Sequence, residues 1–275
     1  MKDKVSIMLD SGAFSAWNTG KNIDLYEYIT FCKDNLSALD YIVNLDKIPG
    51  KYGQKHLSPE QIEESTRVGW ENYEYMIKKG IPKEKLIHVF HQGESFKWLE
   101  KIVDLMKYIG LSPANDRTTQ EKILWLDDCM KYVLDSEGFP IVKFHGFGVT
   151  SLKIMLRYPW YSVDSTSWVL TSRFGSVFVP KKKQGKYVYD ENSWKVCVSN
   201  KSPSQSEAGK HYSTFAEIEK EEILRYFNLK GYTIEELADD YKKRDELNII
   251  YFLDLEKSIP ERRQFKLTSS GGFGI

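Results

Sequence analysis

Six short apolar runs, each followed by a segment of helical character, constrain this chain more than any other feature. The runs are Val5 to Leu9, Tyr41 to Leu45, Leu86 to Phe90, Tyr108 to Leu111, Ile141 to Phe144 and Trp160 to Val163. Short apolar stretches bounded by polar or glycine residues read as buried strands, and their strict alternation with helices builds βα units around a parallel sheet. The helix starts are well marked. Ser58-Pro59-Glu60-Gln61 supplies an N-cap, a proline in the first turn and a glutamine three residues on, and Thr118-Thr119-Gln120-Glu121 is a capping box. Behind the second start, Ile123, Leu126, Met130 and Val133 recur at the spacing that lays an apolar stripe against a sheet. The runs end in polar or glycine residues, including Asp46, Gln92-Gly93 and Gly146-Phe147-Gly148. Such ends suit the loops at the C-terminal face of a barrel, so the expected fold is α/β, a TIM-type (β/α) barrel rather than an open doubly wound sheet.

The chain of 275 residues is long enough to bury one sizeable core, and no low-complexity linker divides it. The expectation is a single domain over 1–275, with the main βα units in 1–170, a basic irregular insertion in 171–212 and C-terminal helices in 213–268. Within the insertion, Val177 to Val179, Tyr187 to Tyr189 and Trp194 to Val198 are strand candidates around Lys181, Lys182, Lys183 and Lys186. Two helices follow, capped by Thr214-x-x-Glu217 and Thr233-x-x-Glu236, and the tail Ser269 to Gly274 reads as flexible. Lysine plus arginine (39) balance aspartate plus glutamate (39), so a nucleic-acid partner has to be held by a local basic patch. Three scattered cysteines, Cys32, Cys129 and Cys197, fit a reducing cytosol better than a disulfide framework. The residues before Asp10 are too few for a signal peptide or a membrane span, so a cytoplasmic protein with no membrane partner is expected.

Two carboxylates stand at strand ends: Asp10, in Asp10-Ser11-Gly12-Ala13-Phe14, and Asp164, in Val163-Asp164-Ser165-Thr166. Such a pair suggests acid/base or nucleophilic work on one substrate. Plainer readings compete at each position. Asp10 and Asp164 could be turn residues, Asp46 could pair with Lys47, Gln92 could be satisfied by backbone, Phe14 could belong to the core, and the lysine run could be a solvated loop. His88, His91 and His145 lie on or beside strand ends, but no spacing among them and the cysteines completes a zinc signature, so structural or hydrogen-bonding histidines are expected and no metal.

Taken in order, Asp10-Ser11-Gly12-Ala13-Phe14, Leu45-Asp46, His91-Gln92-Gly93, Ile109-Gly110-Leu111, Gly146-Phe147-Gly148 and Val163-Asp164 resemble the guanine transglycosylases that exchange guanine for a 7-deazaguanine base in nucleic acid. The family pattern runs DSGGF, FD, QGG, GGLA, GVG and FDC, each at a strand end, and Thr171-Ser172-Arg173 is similar to its TR segment. The resemblance implies a pentosyltransferase with Asp164 as nucleophile on the ribosyl carbon and Asp10 as general acid and base. It implies that Asp46, Gln92 and the backbone of Gly110 and Leu111 read the base and that Phe14 stacks on it, with Ser11, Gly93, Gly148 and Arg173 in the substrate site. Lys181, Lys182, Lys183 and Lys186 would contact the nucleic-acid backbone, and no cofactor is implied.

The departures narrow the reading. Cys197 and His211 stand alone where transfer-RNA members carry a full zinc site, Ala13 replaces a glycine, and the chain starts so close to the first motif that the barrel is expected to be incomplete or rearranged. A compact zinc-free form is more like the branch, typical of phages and mobile islands, that inserts 7-deazaguanines into DNA. Exchange in DNA is the expected activity; the alternatives are the same exchange on transfer RNA, a non-catalytic module that binds a deazaguanine or modified nucleic acid, and, more weakly, a barrel glycoside hydrolase. Besides DNA or tRNA and the free base, an accessory protein or a homodimer remains open as a partner.

Overall fold

A computed structural model of the chain describes residues 5–50, 53–54, 57–202, 207–261 and 263–266, and the tail expected to be flexible lies outside them. The chain divides into two compact units, one formed by 1–149, 160–163 and 264–275, the other by 150–159 and 164–263.

The first unit holds the βα alternation. Its elements are β1 (Met8–Leu9), α1 (Ala13–Thr19), α2 (Leu25–Asp34), β2 (Tyr41–Val43), α3 (Pro59–Lys78), β3 (Leu86–Ile87), β4 (Val89–His91), α4 (Phe96–Leu105), β5 (Tyr108–Ser112), α5 (Thr119–Val133) and β6 (Lys143–Gly146). After α6 (Leu152–Arg157), which belongs to the second unit, β7 (Ser162–Val163) completes it. The strands pair as β1-β2-β3 and as β4-β5-β6-β7, and all of these pairings are parallel. Only His88 separates β3 from β4, and its carbonyl accepts the Gly110 N–H at 2.8 Å, so 86–91 acts as one strand with β2 on one side and β5 on the other. The protein is thus mixed α/β with parallel sheets. Among the described residues no pairing joins β7 to β1.

Each predicted strand is present: the run at 108–111 is complete and extends to Ser112, and the others are shortened or shifted. The run at 141–144 becomes Lys143–Gly146, because Leu134 and Pro140 bridge and the Ile141 N–H bonds the Val133 carbonyl, leaving Ile141 exposed. At the first run, Ile7 lies just outside β1: its N–H donates to the Asp40 carboxylate, and its carbonyl accepts from the N–H groups of Asp40 and Tyr41. Both predicted capping boxes form, with Ser58 accepting from Gln61 N–H and Thr118 from Glu121 N–H. Ile123, Leu126, Met130 and Val133 are all buried.

Side-chain alternation separates two faces of the sheet. Phe90 packs on Phe96 and Trp125, His88 on Trp70 and Tyr73, and Phe144 on Trp160. The opposite face is more polar: Tyr41 meets Tyr108 edge-on at 4.8 Å, and Ser162 joins the Tyr108 hydroxyl (2.5 Å) to His145 Nδ1 (2.6 Å).

The second unit contains α6, α7 (Ser167–Arg173), β8 (Ser176–Val179), β9 (Lys181–Lys183), β10 (Lys186–Val188), β11 (Trp194–Cys197), α8 (Glu217–Leu229), α9 (Ile234–Asp239) and α10 (Tyr241–Ser258). The three strand candidates of the insertion are present, and the lysine run, expected to be irregular, is itself a strand. It pairs with β10 through a turn in which Gln184 and Gly185 have φ of 50° and 80°. Thr233 caps α9 as expected. Thr214 does not cap α8: its hydroxyl bonds the 207–211 turn, and the helix begins after Ala216, whose N–H donates to Glu219. Val177, Val179, Val196, Ile223, Phe227 and Leu247 form the core of this unit. Asn248 ties α10 to it, accepting from Phe178 N–H and donating to the carbonyls of Trp168 and Ser176.

A Cβ on Gly146 would meet Val149 Cγ2 at 2.7 Å and the Trp160 ring at 3.0 Å. Gly146→Ala is therefore expected to destabilise the protein by about 1–3 kcal/mol, read as a lower denaturation midpoint at unchanged m-value. A wild-type midpoint would mean that Trp160 is not held against β6.

Candidate functional site

Asp10 directly follows β1 and is exposed. Ser11 is buried, and its Oγ accepts the Ala13 N–H at 3.3 Å; Gly12, at φ 72°, turns the chain into α1 through a left-handed conformation that glycine adopts without strain. Phe14 is 49% exposed, so it is not a core residue, and its ring lies 5.8 Å from Trp17, whose indole N–H donates to the Gly50 carbonyl. Tyr28 links this corner to the next strand end. Its hydroxyl donates to the Val43 carbonyl at 2.6 Å, and burial first, then Cys32, Asp10 and Asp46, push its pKa far up.

Asp46 does not pair with Lys47. His91 Nε2 meets Asp46 Oδ2 at 2.7 Å, while His91 Nδ1 meets Glu94 Oε1 at 3.2 Å and its backbone N–H donates to Glu94 Oε2. Burial alone would lower the His91 pKa, but the bonds and charges of Asp46 and Glu94 outweigh it and raise it to about 10. Burial likewise pushes Asp46 upward, yet the bond to His91 prevails and its carboxyl titrates below the usual range. The result is an imidazolium between two carboxylates at the ends of β2 and β4, with the Asp46 side chain still 10% exposed. His91 is a hydrogen-bonding histidine, as expected, and so is His88, whose Nδ1 meets Asn44 Nδ2 at 3.0 Å and whose pKa burial lowers to about 4.

Two of the groups expected to read the base are bonded within the scaffold. The Gln92 amide is engaged within the scaffold: its Oε1 accepts the Ala114 N–H at 3.0 Å and its Nε2 reaches the Glu121 carbonyl at 3.4 Å, which ties the β5–α5 loop to the start of α5. The Gly110 N–H belongs to the sheet, bonded to His88, and Leu111 is fully buried within β5. Gly110 serves packing instead, since a Cβ there would meet the Phe147 ring at 2.5 Å. Gly93 and Gly148 both have positive φ, 113° and 61°, as turn glycines do. His145 bonds Ser162 and packs edge-on against Phe147.

Asp164 directly follows β7, is exposed, and opens the longer segment of the second unit. The turn after it is closed by Ser165, whose Oγ accepts the Ser167 N–H at 3.0 Å. Arg173 ends α7 and lines a cavity of the second unit. The lysines are distributed along a hairpin: Lys183 pairs with Asp190, Lys181 lies over Trp194 and Lys182 over Tyr187. Successive strand residues face opposite sides, so these lysines do not form one row. Cys197 and His211 are joined by a backbone bridge, yet no group of three or more His, Cys, Asp or Glu suited to a metal occurs among the described residues. No helix among the described residues is long and apolar enough to cross a membrane.

The sequence does not single out Glu94 or Tyr28. His91-x-x-Glu94 at a strand end was the available signal for the first; Tyr28 lies on an ordinary helical stripe. No family model matches the chain, and no curated protein matches it.

The charged set has a definite pH signature. The folded pKa of His91 lies above its unfolded value near 6.5, so its contribution to stability is complete below that pH and fades as pH rises toward about 10. Asp46, depressed below 3.8, contributes above that value and loses its contribution as pH falls through its lower folded value. The difference in Tm between the wild type and His91→Gln is expected to be largest at mildly acidic pH and to shrink steadily on the alkaline side. A constant difference over that range would mean that His91 is neutral.

Proposed function

We propose that this protein is a pentosyltransferase of the guanine-transglycosylase type, exchanging guanine for a 7-deazaguanine base in DNA on a TIM-type (β/α) barrel. The observation that carries the reading is the arrangement of the motifs on the parallel strands. Asp10 follows β1, Asp46 follows β2, His91 and Gln92 end β4, Gly146-Phe147-Gly148 end β6 and Asp164 follows β7. The strands pair in sequential order, as in a singly wound barrel and without the reversal of a doubly wound sheet.

The chemistry needs two carboxylates. Asp164 would attack C1′ of the target deoxyguanosine, forming an ester bond as the bond from C1′ to N9 breaks, while Asp10 protonates the departing base. In the second half, the incoming base would give its ring proton to Asp10 and attack C1′, expelling Asp164. Two displacements give net retention, and no redox partner or cofactor enters the balance. An ionised Asp46 offers acceptors only, which complements the ring N–H and amino donors of a guanine edge. The half-exposed Phe14 supplies a ring on which an unstacked base can lie. Gln92 and the Gly110 amide have no part in this scheme.

Incubation with radiolabelled guanine and, separately, duplex DNA, single-stranded DNA and transfer RNA tests the proposal, with label expected in DNA. Label only in transfer RNA would replace the polymer; label in none would remove the activity. Asp164→Asn is expected to reduce exchange roughly a thousandfold or more, and Asp10→Asn by about a hundred- to ten-thousandfold through lost proton transfer. Near-normal turnover by either variant would sink its assigned role.

A further inference from the structure

The second unit contains a cavity of about 650 Å³ whose lining includes Arg173, Phe174, Lys201, Asp239, Tyr241 and Arg244. Three cations face it against one carboxylate. Arg244 is the unusual member, because it is only 5% exposed and its hydrogen-bond partners are all backbone carbonyls. Its Nε–H donates to the Ser172 carbonyl at 2.7 Å, and Nη1 donates to the carbonyls of Leu237 at 2.6 Å and Ala238 at 3.2 Å. Among the described residues Nη2 makes no hydrogen bond and no carboxylate pairs with the guanidinium. The nearby acids are occupied elsewhere: Asp240 accepts the Lys242 N–H at the start of α10, and Asp245 is bonded to the Ser172 hydroxyl. A buried cation satisfied on two edges by carbonyls is a fixed anion receptor on the third, because removing it from water is costly unless a counter-charge completes it.

The aromatic residues narrow the kind of anion. Phe174 is 67% exposed and Tyr241 is 47% exposed, although both belong to the cavity wall. Large rings left open beside a cationic floor give a base a face to stack on while its phosphate meets the guanidinium. We infer that this cavity is a nucleotide site, with Arg244, Lys201 and Arg173 taking a phosphate and Phe174 and Tyr241 taking the attached base. The phosphate could come from a single-stranded nucleic acid or from a free mononucleotide, which share this chemistry. The inference does not depend on base exchange, since it concerns binding by the second unit.

The test uses the full chain and three probes: a fluorescein-labelled single-stranded oligodeoxynucleotide, 2′-deoxyguanosine 5′-monophosphate and inorganic phosphate as competitor. Arg244→Lys probes the floor but also disturbs three carbonyl contacts, so the exposed positions carry the decision. Lys201→Ala is expected to weaken oligonucleotide binding about tenfold and to reduce the slope of log K against log salt by about 0.7, as loss of one phosphate contact on a single strand does. Tyr241→Ala is expected to weaken it by a similar factor, about tenfold, with the salt slope unchanged, as loss of one stacking face does. The same sensitivities measured with the mononucleotide identify a free nucleotide as the occupant; their restriction to the oligonucleotide identifies a nucleic-acid strand. Absence of binding to both, or wild-type affinity and slope in both variants, overturns the inference, whatever the exchange assay gives.

Discussion

The first unit depends on residues 86–91 being paired along both edges. The Asn44 N–H donates to the Ile87 carbonyl at 2.8 Å on one side, and the His88 carbonyl accepts from Gly110 at 2.8 Å on the other. A strand bonded in this way cannot slip by one residue without turning Phe90 away from Phe96 and Trp125 and carrying His91 to the helix-covered face. That register brings the end of β4 beside the loop after β2, where His91 meets Asp46. Without it the two residues, 45 positions apart in their numbering, would have no reason to touch.

The charge set at that corner is centred on His91. An imidazolium flanked by two carboxylates compensates its own burial through two polar contacts, and loss of His91 leaves both carboxylates without their shared cation. This gives Asp46 a fixed protonation state and, through His91, a fixed direction. In the proposed reaction that matters more than the number of contacts to the base. An acceptor-only group rewards an edge that presents donors and leaves an edge that presents acceptors unpaired, and unpaired buried polar groups produce the larger discriminations.

Much of the architecture was legible in the sequence because its determinants are local. Short apolar runs, two capping boxes and the stripe from Ile123 to Val133 act over a few residues, and each appears where the pattern placed it. Boundaries moved where a longer-range bond competed, as when the Leu134 and Pro140 bridge displaced the start of β6. The site was less legible. Gln92 and Gly110 have the residue types a base-reading site needs, but their polar groups are engaged by Ala114, Glu121 and His88, which are distant in sequence. The Asp46 to His91 contact was hidden for the same reason. Arg244 was invisible as a receptor, since in sequence it is one more cation in the Lys242-Lys243-Arg244 run at the start of α10.

Where a chain with balanced charge keeps its affinity for anions is a question of geometry. The lysines at 181–183 look like the basic patch when read in order, yet strand alternation sends them to both sides of a hairpin, where Asp190, Trp194 and Tyr187 engage them. Their field is spread and screened. Arg173, Lys201 and Arg244 are scattered in sequence but line one cavity, and Arg244 is oriented by carbonyls that cannot neutralise it. Cations that converge on one cavity attract a phosphate more strongly than a dispersed run, because they act together over a shorter distance and the buried Arg244 acts in a lower local dielectric. The inferred anion site of the second unit therefore draws on residues that the fold brings to one cavity, not on the most basic stretch of its sequence.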